Sequence, residues 1–188
     1  LVAEGYVTIR PDNTGFLSIT NDDTEVIEDA RSILEDLGLG VFERPPHKGK
    51  TARELICSAS EFASFLESLE PRLLQDSASQ RVPEALTRAS EKIQRSFVQA
   101  YVEGEGHVST SEREITVASM SADLLEDVRS MLLTWGIRAQ IHERANGSYR
   151  IRISGEDFIR YVRSIGFLTI RKQWASHAFD GTERNSNT

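Results

Sequence analysis

A chain of 188 residues with 39% hydrophobic content can build one domain or two small ones around a sizeable core. No run approaches the ~20 apolar residues of a membrane span. No basic-then-apolar leader is visible and Cys57 has no partner for a disulfide, so the expected location is cytoplasmic. The net charge of -7 argues against a nucleic-acid partner, yet eighteen of the 22 basic residues are Arg and only four are Lys. Arg offers the bidentate contacts to guanine and phosphate that Lys does not, although an acidic protein from a GC-rich genome, or one adapted to high salt, would share this balance.

Taken in order, the chain opens on Leu1 rather than Met and reads as part of a longer polypeptide, its first helix cut just before a functional end. Tyr6 to Arg10 and the stretch around Leu17 and Ile19 alternate about the turn cluster Pro11-Asp12-Asn13-Thr14-Gly15, which predicts a hairpin with one apolar face. Asp22 with Glu25 resembles a capping box for a helix carrying Val26, Ile27, Ala30, Ile33, Leu34 and Leu37, closed by Gly38. A second strand pair is expected at Gly40 to Arg44 and Ala52 to Cys57. Ser58 with Glu61 then starts a helix with Phe62, Phe65, Leu66 and Leu69 on its buried stripe. Residues 71–90 form the connector, and one helix is expected from Pro83 to Glu103. Strands follow at Gly106 to Thr110 and Glu114 to Ser119, then a helix from Ser121 to Trp135. A hairpin spans Arg138 to Ser154 around Asn146-Gly147, and a closing helix runs from Gly155 to Ile165. The last stretch, from Trp174 to Thr188, looks poorly ordered.

The chain states one pattern twice. Ile27-Glu28-Asp29-Ala30-Arg31-Ser32 matches Leu125-Glu126-Asp127-Val128-Arg129-Ser130, and Leu37-Gly38 matches Trp135-Gly136. Ser58, Phe62, Phe65, Ser68 and Leu69 match Ser154, Phe158, Tyr161, Ser164 and Ile165. So long a period is a duplicated domain half rather than a solenoid repeat. The expected fold is therefore α+β: two pseudo-symmetric αββαββα repeats, with mixed or antiparallel saddle-shaped sheets carrying helices on one face. The expected parts are a first half at 1–70, a linker at 71–90, a second half at 91–168 and a tail at 169–188.

Each half begins with a glutamate at the end of a small-residue helix, Ala3-Glu4-Gly5 and Gly104-Glu105-Gly106. Ala100 and Gly104 share a helix face, where small residues allow backbone-to-backbone approach. A carboxylate at a helix C-terminus opposes the macrodipole, and two close carboxylates raise each other's pKa. A divalent cation removes both penalties, and Mg²⁺ suits few carboxylates, waters and phosphate oxygens. A lone surface Glu at a helix end is the ordinary alternative. In the late hairpin, Arg138, Gln140, His142, Arg150 and Arg152 alternate with apolar residues, giving a face of base-edge readers on a ribbon that fits a major groove. A solvated sheet face alternates in the same way. Arg10, Arg44 and Arg53 are weaker candidates in the first half. Lys48 and Lys50 are candidate basic partners, or simply a polar loop.

These residues resemble the LAGLIDADG homing endonucleases, in the two-motif, single-chain form found inside inteins. Val98 to Gly106 aligns with the whole nine-residue motif and Leu1 to Gly5 with its last five positions. Leu124-Leu125-Glu126-Asp127-Val128, Gly136-Ile137-Arg138 and Tyr149 to Gly155 extend the resemblance over about residues 1 to 168. The resemblance implies that Glu4 and Glu105 bind Mg²⁺ and direct water at two phosphodiesters, one per strand. It implies that the backbone carbonyls of Ala3 and Gly104 join the metal shell. It also implies a long asymmetric duplex site cut across the minor groove to leave short 3′ overhangs, a host intein splicing domain in the same precursor, and a monomer. The chain departs from the family in its incomplete first motif, its Glu in place of the more frequent Asp, its acidic charge, and the lack of a clear basic partner near the second motif. A DNA-binding relative that no longer cuts, or a degenerate intein remnant, is the competing expectation.

Overall fold

The computed structural model describes residues 1–46, 49 and 51–177. The first lobe comprises β1 (Gly5–Ile9), β2 (Gly15–Asn21), α1 (Thr24–Asp36), β3 (Val41–Arg44), β4 (Arg53–Cys57) and α2 (Ser60–Leu69). After a 3-10 turn at Pro71–Leu74 and the short α3 (Glu84–Thr87), the second lobe begins with α4 (Glu91–Glu105). It continues through β5 (Gly106–Val108), β6 (Glu114–Ser119), α5 (Ala122–Thr134), β7 (Gln140–Glu143), β8 (Tyr149–Ser154) and α6 (Glu156–Ser164), and α7 (Ile170–His177) follows.

Both sheets are four-stranded and antiparallel throughout, with orders β1-β2-β4-β3 and β5-β6-β8-β7. The identical order is the structural form of the duplication read from the sequence. Each lobe has its own core. Val7, Leu17, Ile27, Leu34, Leu55 and Cys57 fill the first, and Val98, Val102, Ile115, Leu125, Ile151 and Phe158 are among those filling the second. Ile27 and its repeat partner Leu125 are both fully enclosed, and burying such a side chain stabilises by roughly 1.5–3 kcal/mol. The turn at residues 1–4 joins the two cores, because Leu1 packs on the first while Val2 and Ala3 pack on the second.

Several local expectations are corrected. Asp23, not Asp22, caps α1 by accepting from Glu25 N–H. Ala59 precedes α2 with no side-chain cap, and Ser60 Oγ instead accepts from Gly15 N–H at 2.9 Å, tying the helix to its sheet. On α2 the buried residues are Ala63 and Leu66, while Phe65 and Leu69 face outward. The helix expected from Pro83 to Glu103 breaks, because Ser90 adopts an extended backbone as the N-cap of α4 and the Gln94 amide caps the Thr87 carbonyl. The first repeat has no leading helix here but a single helical turn.

The tail differs most. Residues 170–177 form α7, although the stretch from Trp174 was expected to be poorly ordered; residues 178–188 lie outside the described residues. Backbone N–H of Ile170 donates to Glu25 Oε2 at 2.8 Å, and Arg171 pairs with Asp23 at 3.5 Å. Both acids belong to the start of α1, so α7 ties the end of the chain back to the first lobe. No helix among the described residues is long and apolar enough to cross a membrane.

Candidate active site

The two lobes meet at the ends of the motif segments. Gly106 N–H donates to the Val102 carbonyl and closes α4. Gly5 N–H donates to the Leu1 carbonyl at 3.1 Å and closes the equivalent turn. Gly104 lies against the other lobe so tightly that a Cβ there would fall 2.7 Å from Glu4 Cγ and 2.8 Å from Ala3 Cβ. Only a residue without a side chain permits that crossing. It brings Glu4 of the first lobe beside Gly104, next in sequence to Glu105.

Glu4 is among the charges that act on Glu105. Burial, and then the negative charge of Glu4, push Glu105 up to about 7, with Lys172 opposing. Glu105 is nonetheless open to solvent as a residue. Burial also raises Glu4. Lys172 opposes that shift, Asp22 adds to it, and the Asn21 side chain favours the ionised form by hydrogen bonding.

Lys172, from α7, is the basic group that sequence reasoning missed. Its ammonium is enclosed, donates to the Val102 carbonyl at 3.3 Å and, more closely, to the Glu103 carbonyl, and lies 3.7 Å from Glu103 Oε1. A cation at a helix C-terminus offsets the negative end of the macrodipole, so Lys172 relieves the feature that made Glu105 at the end of α4 unfavourable. Glu103 completes the arrangement by accepting from Leu168 N–H at 2.7 Å and Thr169 Oγ at 2.7 Å. Burial lowers the Lys172 pKa, and the Glu103 and Glu4 carboxylates work against that shift. The available signal was compositional: Lys172 is one of only four lysines.

Two cavities flank the crossing. One of about 500 Å³ is lined by Glu105, Tyr101, Tyr6, Gln75 and Ser119. The other, about 290 Å³, is lined by Glu4, Glu103, Gly104, Leu1 and Phe62. One acid therefore borders each cavity, Glu105 the first and Glu4 the second. Among the described residues no group of three or more His, Cys, Asp or Glu side chains could hold a metal unaided. Two carboxylates of raised pKa suit a hard divalent cation whose other ligands are main-chain oxygens, water and substrate phosphate.

The basic candidates fall into distinct settings. Cross-strand pairs Gln140↔Arg152 and His142↔Arg150 place these four on one face, opposite the buried Ile151 and Ile153. Glu114 on β6 pairs with Arg152. Arg138 precedes β7 and is held by Asp157, through its backbone N–H at 3.1 Å and its Nε at 3.3 Å. Arg10 follows β1 and lies over the Phe16 ring, 5.3 Å from its centroid. Arg44 pairs with Glu54 at 2.9 Å. Arg53 lies on the helix side of its sheet, bonded to Glu43 at 2.6 Å and Glu28 at 2.8 Å, so it is not available on the outer face. Lys48 and Lys50 lie outside the described residues.

Two lobes of one strand order, joined at a close crossing with one carboxylate from each, define the duplicated fold of LAGLIDADG homing endonucleases. The family model of the LAGLIDADG-like domain matches residues 1–70 and 92–166, and the chain belongs to that family. Among curated proteins it is similar to the DNA polymerase II large subunit of Thermococcus kodakarensis, 27% identical over 91% of this chain and 10% of that protein. It is also similar to the probable translation initiation factor IF-2 of the same organism, 34% identical over 82% of this chain and 13% of that protein. The chain thus spans only a small part of either relative. Among solved structures, the homing endonuclease I-DmoI in complex with DNA and Ca superposes with a TM-score of 0.67, at 19% identity over 92% of this chain and 90% of that one. The N-terminal LAGLIDADG domain of DUF199/WhiA superposes with a TM-score of 0.61, at 14% identity over 92% of this chain and 79% of that one.

Proposed function

We propose that the protein is a site-specific double-strand DNA endonuclease, the homing endonuclease portion of an intein, that hydrolyses one phosphodiester on each strand with a divalent metal, Mg²⁺. The observation that supports this reading is the Gly104 crossing, where Glu4 of the first half packs against the residue that precedes Glu105 of the second, and the charge of Glu4 acts on Glu105. A duplex has two strands of matching chemistry, and a site with one acid per lobe has the same symmetry.

Glu4 and Glu105, with the main-chain oxygens of Ala3 and Gly104, are the groups that would hold the cations. When bound, the cations supply charge stabilisation for the attacking and leaving oxygens of the phosphodiester. The protein's own residues do the rest. Glu4 and Glu105 accept from and orient water beside each strand. Lys172 holds the end of α4, and its positive charge acts on both acids. Gln140, His142, Arg150 and Arg152 contact base edges in the major groove, and Arg10 and Arg138 are further contacts to the duplex, while Arg44 is engaged by Glu54.

The intein setting is supported by the relatives. A DNA polymerase subunit and a translation initiation factor share no activity, yet this chain resembles a small part of each. A segment common to such proteins is separate from what either host does, as expected of an inserted element. The partners are then the duplex target and a splicing domain in the same precursor.

The test is cleavage of the empty insertion-site duplex by the full precursor with Mg²⁺. Glu105→Gln should abolish cutting and retain binding, while loss of both together would remove Glu105 from its assigned role. A wild-type chain that binds duplex and never cuts would assign the fold to DNA binding alone.

A further inference from the structure

The strand registers allow the outer faces of the two sheets to be compared position by position. In the first lobe one row crosses all four strands as Tyr6, Ser18, Ile56 and Phe42. Its equivalent in the second lobe is His107, Thr116, Arg152 and Gln140. The next row runs Thr20, Glu54 and Arg44 in the first lobe, and Ala118, Arg150 and His142 in the second. The first row of each set lies one pair away from the Gly5 and Gly106 turns that carry the acids.

The backbone positions are equivalent and the chemistry is opposite. Tyr6 is 47% and Phe42 51% exposed on the outer face of the first sheet. Ile56 is buried on this face, apart from the cluster of Leu17, Leu55 and Cys57. Phe16 makes an edge contact to Tyr6 at 5.9 Å. The charges of this face cancel locally, since Glu54 accepts from Ser18 Oγ at 2.8 Å and pairs with Arg44. The second face instead presents Arg150, which no acid among the described residues holds, along with Gln140 and His142.

We propose that the two lobes read their half-sites by different chemistry: the second by Arg and Gln hydrogen bonds to guanine and adenine edges, the first by apolar contact of Phe42 and Tyr6 with thymine methyl groups. This rests on the DNA endonuclease reading above. Aromatic and aliphatic side chains recognise the thymine C5-methyl in the major groove, where arginine recognises guanine O6 and N7. A face with cancelled charge and exposed rings gains little from phosphate and loses little by desolvation on meeting a methyl-rich groove. The preferred duplex is therefore thymine-rich beneath the first lobe and guanine-bearing beneath the second.

The experiment selects bound duplexes from a randomised library with the full chain in Ca²⁺ buffer, then substitutes single bases in the enriched duplex. Replacing thymine by uracil removes only the methyl, and should weaken binding about fourfold per contacted base in one half-site. Replacing guanine by 7-deazaguanine should weaken binding about tenfold in the other half-site. Phe42→Ala should remove the uracil effect at the bases beneath Phe42 and leave the deazaguanine effect intact, and Arg150→Ala should remove the deazaguanine effect at its own base and leave the uracil effect intact. Enrichment with guanine dependence in both halves, or binding indifferent to uracil, would overturn this inference while leaving the endonuclease reading in place. If no duplex is enriched, the endonuclease reading fails and this inference fails with it.

Discussion

Gly104 and Glu4 belong to different lobes, yet no side-chain carbon fits between them: a Cβ on Gly104 would stand 2.7 Å from Glu4 Cγ. The contact leaves no room for a methyl group beside Glu4. Gly104→Ala should push Glu4 aside while the cores of both lobes remain intact. Displacement of a reacting group by about 1 Å can cost on the order of 100-fold in rate. Single-turnover cleavage should fall by about that factor, with duplex affinity unchanged. An alanine variant that cuts at the wild-type rate would remove the crossing from the mechanism.

The buried pair of Lys172 and Glu103 leads to a stability prediction. Lys172→Met leaves the Glu103 carboxylate enclosed without its cation, and removing one partner of a buried pair costs about 3–5 kcal/mol. Urea unfolding should show that loss, and Glu103→Gln introduced into the same variant should recover part of it. A loss below about 1 kcal/mol would mean that water already reaches the pair.

Thr169 bridges the same cluster, donating from Oγ to Glu103 Oε1 at 2.7 Å and accepting from Lys172 N–H at 3.3 Å. Thr169→Val keeps the shape and removes both bonds. Unsatisfied buried partners cost about 1–3 kcal/mol, and thermal unfolding of the variant is the direct measure. An unchanged midpoint would show that other donors satisfy Glu103.

Glu105 makes stability depend on pH. Its pKa in the folded protein, about 7, lies above the ordinary 4.5, so between those values the folded state binds the proton more tightly than the unfolded chain does. Stability from this group is fully present below about pH 4.5 and is lost as pH rises through about 7. In metal-free buffer the wild-type protein should lose more stability than Glu105→Gln between pH 5 and pH 8. The same proton competes with a cation, so the apparent Mg²⁺ affinity should weaken as pH falls below about 7. Parallel pH profiles for wild type and variant would place the titration elsewhere.

Much of the architecture was legible before any coordinates. The repeat of Ile27–Ser32 as Leu125–Ser130 announces two halves because both helices bury their shared positions Ile27/Leu125 and Leu34/Leu132. Asn146-Gly147 and the alternation on either side mark the β7–β8 hairpin because turn and pleat are local. What was misread depends on distant partners. Phe65 and Leu69 fit a helical stripe, but spacing alone does not say which side of α2 meets the sheet. Arg53 reads as a candidate duplex contact, yet the parity of β4 turns it toward Glu28 and Glu43 on the helix side.

Sequence alone therefore determined the duplication, the α+β character and the two motif glutamates, because periodicity, turn chemistry and small residues act over a few neighbouring positions. Only tertiary structure decided that α7 returns to the first lobe, that Lys172 closes the end of α4 with its charge acting on both acids, and that equivalent rows of the two sheets carry different chemistry. Glu103 and Lys172 are 69 residues apart in the chain. Burial creates their mutual need, and burial exists only once the lobes have closed around them.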